Sequence, residues 1–243
     1  MNHTPQTTDP TVGRRDSKRR FGVFRFSAVE LLVTLGLLFV TAPFIEVLPS
    51  GNVIEGLLLT LVMVFSVLAV GGRRRTLITA MLLVTPALAG KWVHHVWPHL
   101  ISPALFPATA VVFFAYVVAH LLHFILRAPR VDTNVLCAGI SGFLMLGLLW
   151  MLLYILVARL DPHAFALPAT PDGPTTLDGF NAFYFSFITL CTVGFGDITP
   201  VSRVAKMLAV IEGITGLFYV AVLISRLVSV YSSQAPDAES KKS

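Results

Sequence analysis

Apolar residues fall in long blocks separated by short polar breaks, without the sustained alternation that marks half-buried strands. The blocks lie at about 26–45, 53–70, 104–126, 135–157 and 204–230. Each approaches the roughly 20 helical residues needed to cross a hydrocarbon layer of about 30 Å. Because lipid offers no partner for backbone N–H and C=O groups, runs of this length are predicted to be helices. A sixth run, 76–90, is shorter, and hydropathy alone leaves open whether it crosses by drawing in Trp92 or lies along the interface. Between 157 and 204 the pattern changes. Pro162, Pro168, Pro171, Gly173 and Pro174 mark a loop, and Asp178 is placed to cap a short helix over about Gly179 to Leu190.

Composition changes the picture from helical to membrane-embedded, since 55% hydrophobic and 13% charged residues exclude an ordinary soluble domain. Charge then decides the short run, because cytoplasmic loops collect Lys and Arg. With 76–90 crossing, Arg14, Arg15, Lys18, Arg19, Arg20, Arg25, Arg73, Arg74, Arg75, Arg127, Arg130, Arg226, Lys241 and Lys242 share one side. Only Lys91, Arg159, Arg203 and Lys206 lie on or near the other. The expectation is six crossings with both termini cytoplasmic and the 157–204 stretch entering from outside. Residues 1–25 read as a disordered basic arm before an uncleaved membrane helix, because the first apolar run is too long for a signal-peptide core. The net charge of +5 therefore marks a lipid-facing cytoplasmic surface rather than a nucleic-acid site. Cys137 and Cys191 both fall in membrane segments and suggest neither a disulfide framework nor a zinc site.

The chemistry concentrates in Thr189-Leu190-Cys191-Thr192-Val193-Gly194-Phe195-Gly196-Asp197. Glycine reaches left-handed dihedrals that other residues avoid, so Gly194 and Gly196, alternating with Val193 and Phe195, let successive carbonyls aim to one side. A ring of such segments makes an oxygen-lined passage for a bare cation. The β-branched Thr192 and Val193 add stiffness.

This run resembles the pore signature of potassium channels, whose filter reads Thr-Val-Gly-Tyr-Gly, with Phe195 in place of tyrosine. The similarity runs from about Phe180 to Leu227 and takes in a pore helix, a filter and an inner helix. Ile188 stands where some members carry a glutamate, and no tryptophan pair precedes Ser186. The resemblance implies an all-α membrane protein with six transmembrane helices, a re-entrant pore helix and selectivity filter, assembled as a homotetramer in the cell (plasma or inner) membrane. It also implies K⁺ at the carbonyls of Thr192, Val193, Gly194 and Phe195 and the Thr192 hydroxyl. Gly196 continues the filter, Thr189 and Asp197 support it, and Gly213 and Gly216 fall where the inner helix has its hinge. The expected divisions are a basic arm at 1–25, a four-helix membrane domain at 26–130, a pore domain at 131–231 and a cytoplasmic tail at 232–243.

Leu217, Val220, Ile224 and Val228 recur at helical intervals and are expected to line an apolar inner vestibule, although an ordinary bundle face has the same spacing. Glu212 lies roughly opposite, so it is expected behind the conduction path, in structural support or in gating. Glu30, near a helix end, is accounted for by snorkelling. His120, His123, Arg127 and Arg130 share a stripe, but Pro129 interrupts it and mid-helix acidic partners are absent from the second and third runs, which argues against voltage sensing. His94, His95 and His99 sit beside Trp92 and Trp97, where an aromatic belt explains them better than a metal site. No nucleophile, phosphate-loop or metal-ligand spacing points to an enzyme, and no cofactor beyond permeant K⁺ is expected. A regulatory, non-conducting membrane subunit and a weakly selective cation channel are the alternatives.

Overall fold

The computed structural model describes residues 12–45, 51–70, 74–97, 102–129, 132–168, 177 and 179–233. It is helical almost throughout: α1 (Val12–Ile45), α2 (Gly51–Val70), α3 (Arg74–Val96), α4 (Leu105–Arg127), α5 (Thr133–Leu160), β1 (Phe165–Ala166), α6 (Gly179–Leu190), β2 (Thr199–Pro200) and α7 (Arg203–Ser233). Four of these, α3, α4, α5 and α7, are long and apolar enough to cross a membrane, so the chain is a multi-pass membrane protein. The short run at 76–90 thus belongs to a full-length helix, because Arg74 and Arg75 start it and Trp92 lies within its last turns. The described apolar stretches of α1 and α2, Ala28–Phe44 and Gly56–Val70, are shorter.

Part of the basic arm differs from expectation. Residues 12–25 are the first turns of α1 rather than disordered chain. The segment follows Pro10 and is rich in Arg and Lys, which are good helix formers.

Helix ends follow local chemistry. Ala128 turns extended ahead of Pro129, which disfavours a helical residue before it, and α4 ends there. Asp132 then caps α5, its carboxylate accepting from the Val135 N–H at 3.1 Å. Ser202 does the same for α7, its hydroxyl accepting from the Ala205 N–H at 3.1 Å.

The first four helices pack in sequence, with α1 against α2, α2 against α3 and α3 against α4. Both α1 and α4 also lie on α5, which in turn holds α6 and α7. Helix α5 is therefore the axle of the fold. Its Met145, Leu148 and Tyr154 are fully buried, as are Phe113 and Phe114 of α4 and Leu31 and Leu35 of α1. The first and second halves also meet through rings, since Phe39 of α1 stands edge-on to Phe183 and Phe187 of α6, with both centroid distances 4.7 Å.

Candidate functional site

Helix α6 is an apolar peg of 12 residues set into the groove between α5 and α7. It buries Ala182, Phe185, Ser186, Ile188 and Leu190. Gly147 on α5 makes room for it, because a Cβ there would lie 2.2 Å from the Phe187 ring. On another side Phe185 meets Tyr154 and Phe165 in a trio of edge-on rings, with centroids 4.9 to 5.6 Å apart. The expected cap, Asp178, lies outside the described residues, as do Pro171, Gly173 and Pro174.

The chain leaves the C-terminal end of α6 by folding back onto it. The Thr192 N–H donates to the Thr189 carbonyl at 2.9 Å, and the Val193 and Gly194 N–H groups both donate to the Ile188 carbonyl, at 2.8 and 3.2 Å. Beyond that point φ is positive at every second residue: +57° at Thr192, +55° at Gly194 and +82° at Gly196. Space does not select glycine here, since a Cβ at Gly194 or Gly196 would meet nothing within 4 Å. The backbone conformation does. Thr192 adopts the same conformation despite its β-branch, at a strain of about 1–3 kcal/mol.

Residues 191–197 are exposed in the single chain, Phe195 to 72%. The segment is nonetheless pinned at both ends. After it, Ile198 is buried and β2 pairs antiparallel with β1, Thr199 opposite Ala166 and Pro200 opposite Phe165. The Val201 and Ser202 N–H groups both donate to the Ala164 carbonyl, at 2.7 and 3.2 Å. Asp197 interacts with the Tyr184 hydroxyl of α6, and Thr189 is held by a bond from its hydroxyl to the Phe185 carbonyl at 2.8 Å.

Helix α7 runs unbroken through Gly213 and Gly216 and presents two different faces. Leu217, Val220, Ile224 and Val228 are all exposed in the single chain. The other face meets the rest of the fold. Glu212 is fully buried and bonded to Ser186 and Tyr154. Gly216 lies against the end of α6, where a Cβ would stand 2.3 Å from the Leu190 carbonyl oxygen. The Tyr219 hydroxyl donates to the Gly139 carbonyl at 2.8 Å, and Arg226 donates to the Ala128 carbonyl at 2.7 Å. Gly213 has looser surroundings, its would-be Cβ lying 3.9 Å from the Thr189 carbonyl oxygen.

Several sequence expectations fall elsewhere. The side chains of His94 and His95, and all of His99 and Arg130, lie outside the described residues, while His120 stacks on Tyr116. Sequence reasoning missed the β1–β2 clasp, the left-handed Thr192, and Ser186 and Tyr154 as partners of Glu212. A hydroxyl on each of two apolar helices was the available signal for the last pair.

Residues 142–233 match a family model described as "Ion channel", so the matched region includes α5 from residue 142 onward as well as the 180–227 stretch. The chain is similar to Two pore potassium channel c of Oryza sativa subsp. japonica, 38% identical over 68 residues, which is 28% of this chain and 14% of that protein. It is 43% identical over 49 residues to Two-pore potassium channel 4 of Arabidopsis thaliana, 20% of this chain and 17% of that protein. Two-pore potassium channel 3 of the same plant is 39% identical over 49 residues, 20% of this chain and 11% of that protein. The chain therefore spans less than a fifth of the length of these curated relatives. No solved structure matches it at comparable significance. Through residues 142–233 the chain is therefore similar to ion channels, and the relatives it matches are potassium channels.

Proposed function

We propose that this protein is a passive, potassium-selective channel in the cell membrane, formed by four copies with both termini cytoplasmic and six crossings each. Residues 131–231 form the pore domain, and residues 26–130 a four-helix membrane domain beside it. The carbonyls of Thr192, Val193, Gly194 and Phe195 and the Thr192 hydroxyl replace the water shell of K⁺, with Gly196 ending the row and Thr189 and Asp197 steadying it. The observation that carries this reading is the repeat of positive φ at Thr192, Gly194 and Gly196 in an exposed segment seated on the end of a buried helix. Alternating dihedral signs turn successive peptide planes so that their oxygens can share one side.

Two further features support the reading. The C-terminal end of α6 carries about half a negative charge from the aligned peptide dipoles, and four such ends would favour a cation in mid-membrane. The exposed stripe of Leu217, Val220, Ile224 and Val228 would line the vestibule below, where an apolar constriction can gate by dewetting. Gly213 and Gly216 are the positions at which the inner helix would bend.

Purified protein in liposomes tests this directly. K⁺ flux should exceed Na⁺ flux, and Gly194→Ala should abolish the difference, since an L-residue in that left-handed conformation is disfavoured by about 1–2 kcal/mol despite open space. Equal passage of Na⁺ and K⁺, or unchanged flux in the variant, would show that this segment does not select the ion.

A further inference from the structure

Three oxygen contacts meet behind the filter. The Tyr154 hydroxyl of α5 bonds to Oε2 of Glu212, Oε1 of Glu212 lies 2.6 Å from Oγ of Ser186, and that Oγ lies 2.8 Å from the Gly147 carbonyl oxygen. At full strength each contact holds one hydrogen of its own. Tyr154 brings one, Ser186 brings one, and the carbonyl brings none. An ionised Glu212 would leave three contacts with two hydrogens.

The count also fixes direction. The Gly147 carbonyl can only accept, so a Ser186 hydroxyl that donates to it can offer Oε1 of Glu212 no more than a share of the same hydrogen. Giving each of the three contacts a hydrogen of its own puts the third one on Oε1. The order is Tyr154 O–H to Oε2, Oε1–H to Ser186, and Ser186 O–H to the Gly147 carbonyl.

The surroundings agree. Glu212 is 0% exposed and forms no ion pair with any described residue. The titratable groups facing it are the Tyr154 phenol from α5 and the Cys191 thiol just beyond α6, neither of which brings positive charge. A bare carboxylate buried beside them would be strongly disfavoured.

We propose that Glu212 is a neutral carboxylic acid and a positioning residue, closing a one-way chain of hydrogen bonds that ties α5, α6 and α7 together behind the filter. The inference rests on reading residues 189–197 as that filter. Ser186 lies two residues before Ile188, whose carbonyl receives the Val193 and Gly194 N–H groups. Loss of the acid proton would break the tie next to the filter's own anchor, so alkaline pH is expected to close or loosen the channel.

The test uses the full chain in liposomes, with Glu212→Gln and Glu212→Ala. The amide of glutamine can donate to Ser186 and accept from Tyr154, so this variant should keep K⁺ flux near the wild-type value and lose the fall at alkaline pH. Alanine supplies neither group and should lose flux by about tenfold or more. Infrared spectroscopy provides a second readout independent of conduction. The carbonyl stretch of a protonated carboxyl group should be present at neutral pH, disappear in Glu212→Gln, and shift in Tyr154→Phe, which removes the donor to Oε2. An assembled Glu212→Gln that is silent at every pH, or a missing carboxyl band at neutral pH, overturns the proposal. Should wild-type protein pass no K⁺ while the band and its Tyr154→Phe shift remain, the filter reading fails and the neutral Glu212 stands.

Discussion

Gly216→Ala and Gly213→Ala differ by one methyl group each, three residues apart on α7, yet should behave oppositely. At Gly216 the added Cβ would stand 2.3 Å from the Leu190 carbonyl oxygen, 2.9 Å from Leu190 Cδ1 and 3.2 Å from the Leu190 carbonyl carbon. Ordinary contact begins at 3.4 Å, so the oxygen and α7 must separate by 3.4 − 2.3 = 1.1 Å. A side chain could rotate away, but a carbonyl at the end of a packed helix cannot. Inserting a methyl group under such conditions destabilises by about 1–3 kcal/mol. Leu190 lies two residues before Thr192, so the displacement is delivered to the exposed 192–197 segment as well as to the helix packing.

At Gly213 the nearest atom, the Thr189 carbonyl oxygen, would be 3.9 Å away, an ordinary contact. Alanine should fit, and its better helix propensity should add up to about 1 kcal/mol of stability. Thermal unfolding of the purified protein reports the first difference. Flux of K⁺ against Na⁺ in liposomes reports the second, with Gly216→Ala lowering K⁺ flux or selectivity and Gly213→Ala retaining both. Were Gly213 needed as a flexible hinge, its variant would lose gating while staying stable. Equal unfolding temperatures and equal flux for the two variants would refute the close-packing argument.

Gly147→Ala should also destabilise by about 1–3 kcal/mol, because the Phe187 ring that its Cβ would meet is hemmed in by Phe39 and Phe183, with centroids 4.7 and 4.8 Å away. A thermal midpoint equal to wild type would show that the ring can move aside. Arg226→Gln should weaken the bond from the guanidinium to the Ala128 carbonyl, a charge-assisted contact worth about 1.5–3 kcal/mol when buried and less here, where the side chain is half-buried. Faster amide exchange around 132–136 with unchanged ion selectivity is the expected result, and altered selectivity with unchanged exchange would contradict it.

The membrane helices were legible because an apolar block of sufficient length has few alternatives in lipid, and α6 occupies the same residues, Gly179 to Leu190, that the pattern predicts. The local geometry of residues 192–196 was legible at the glycines, where residue type and dihedral are directly linked. It was not legible at Thr192, because a β-branched residue argues against positive φ and only the tertiary setting imposes it. The β1–β2 clasp is two residues long on each side, too short to leave any periodic trace.

Helix α7 shows the boundary between the two kinds of information. It is apolar around most of its circumference, so hydrophobicity alone cannot say which side faces the fold. The side is set by residues that are polar or lack a side chain: Glu212, Gly216, Tyr219 and Arg226, separated by four, three and seven positions, each meeting a specific oxygen. Helical spacing puts Glu212 away from the Leu217, Val220, Ile224 and Val228 stripe, and in that sense its placement was readable. Its partners were not, since Ser186 and Tyr154 are 26 and 58 residues distant in sequence. A single helix can reveal that a carboxyl group is turned from that apolar stripe. Only three helices together supply the hydrogen count that makes it an acid.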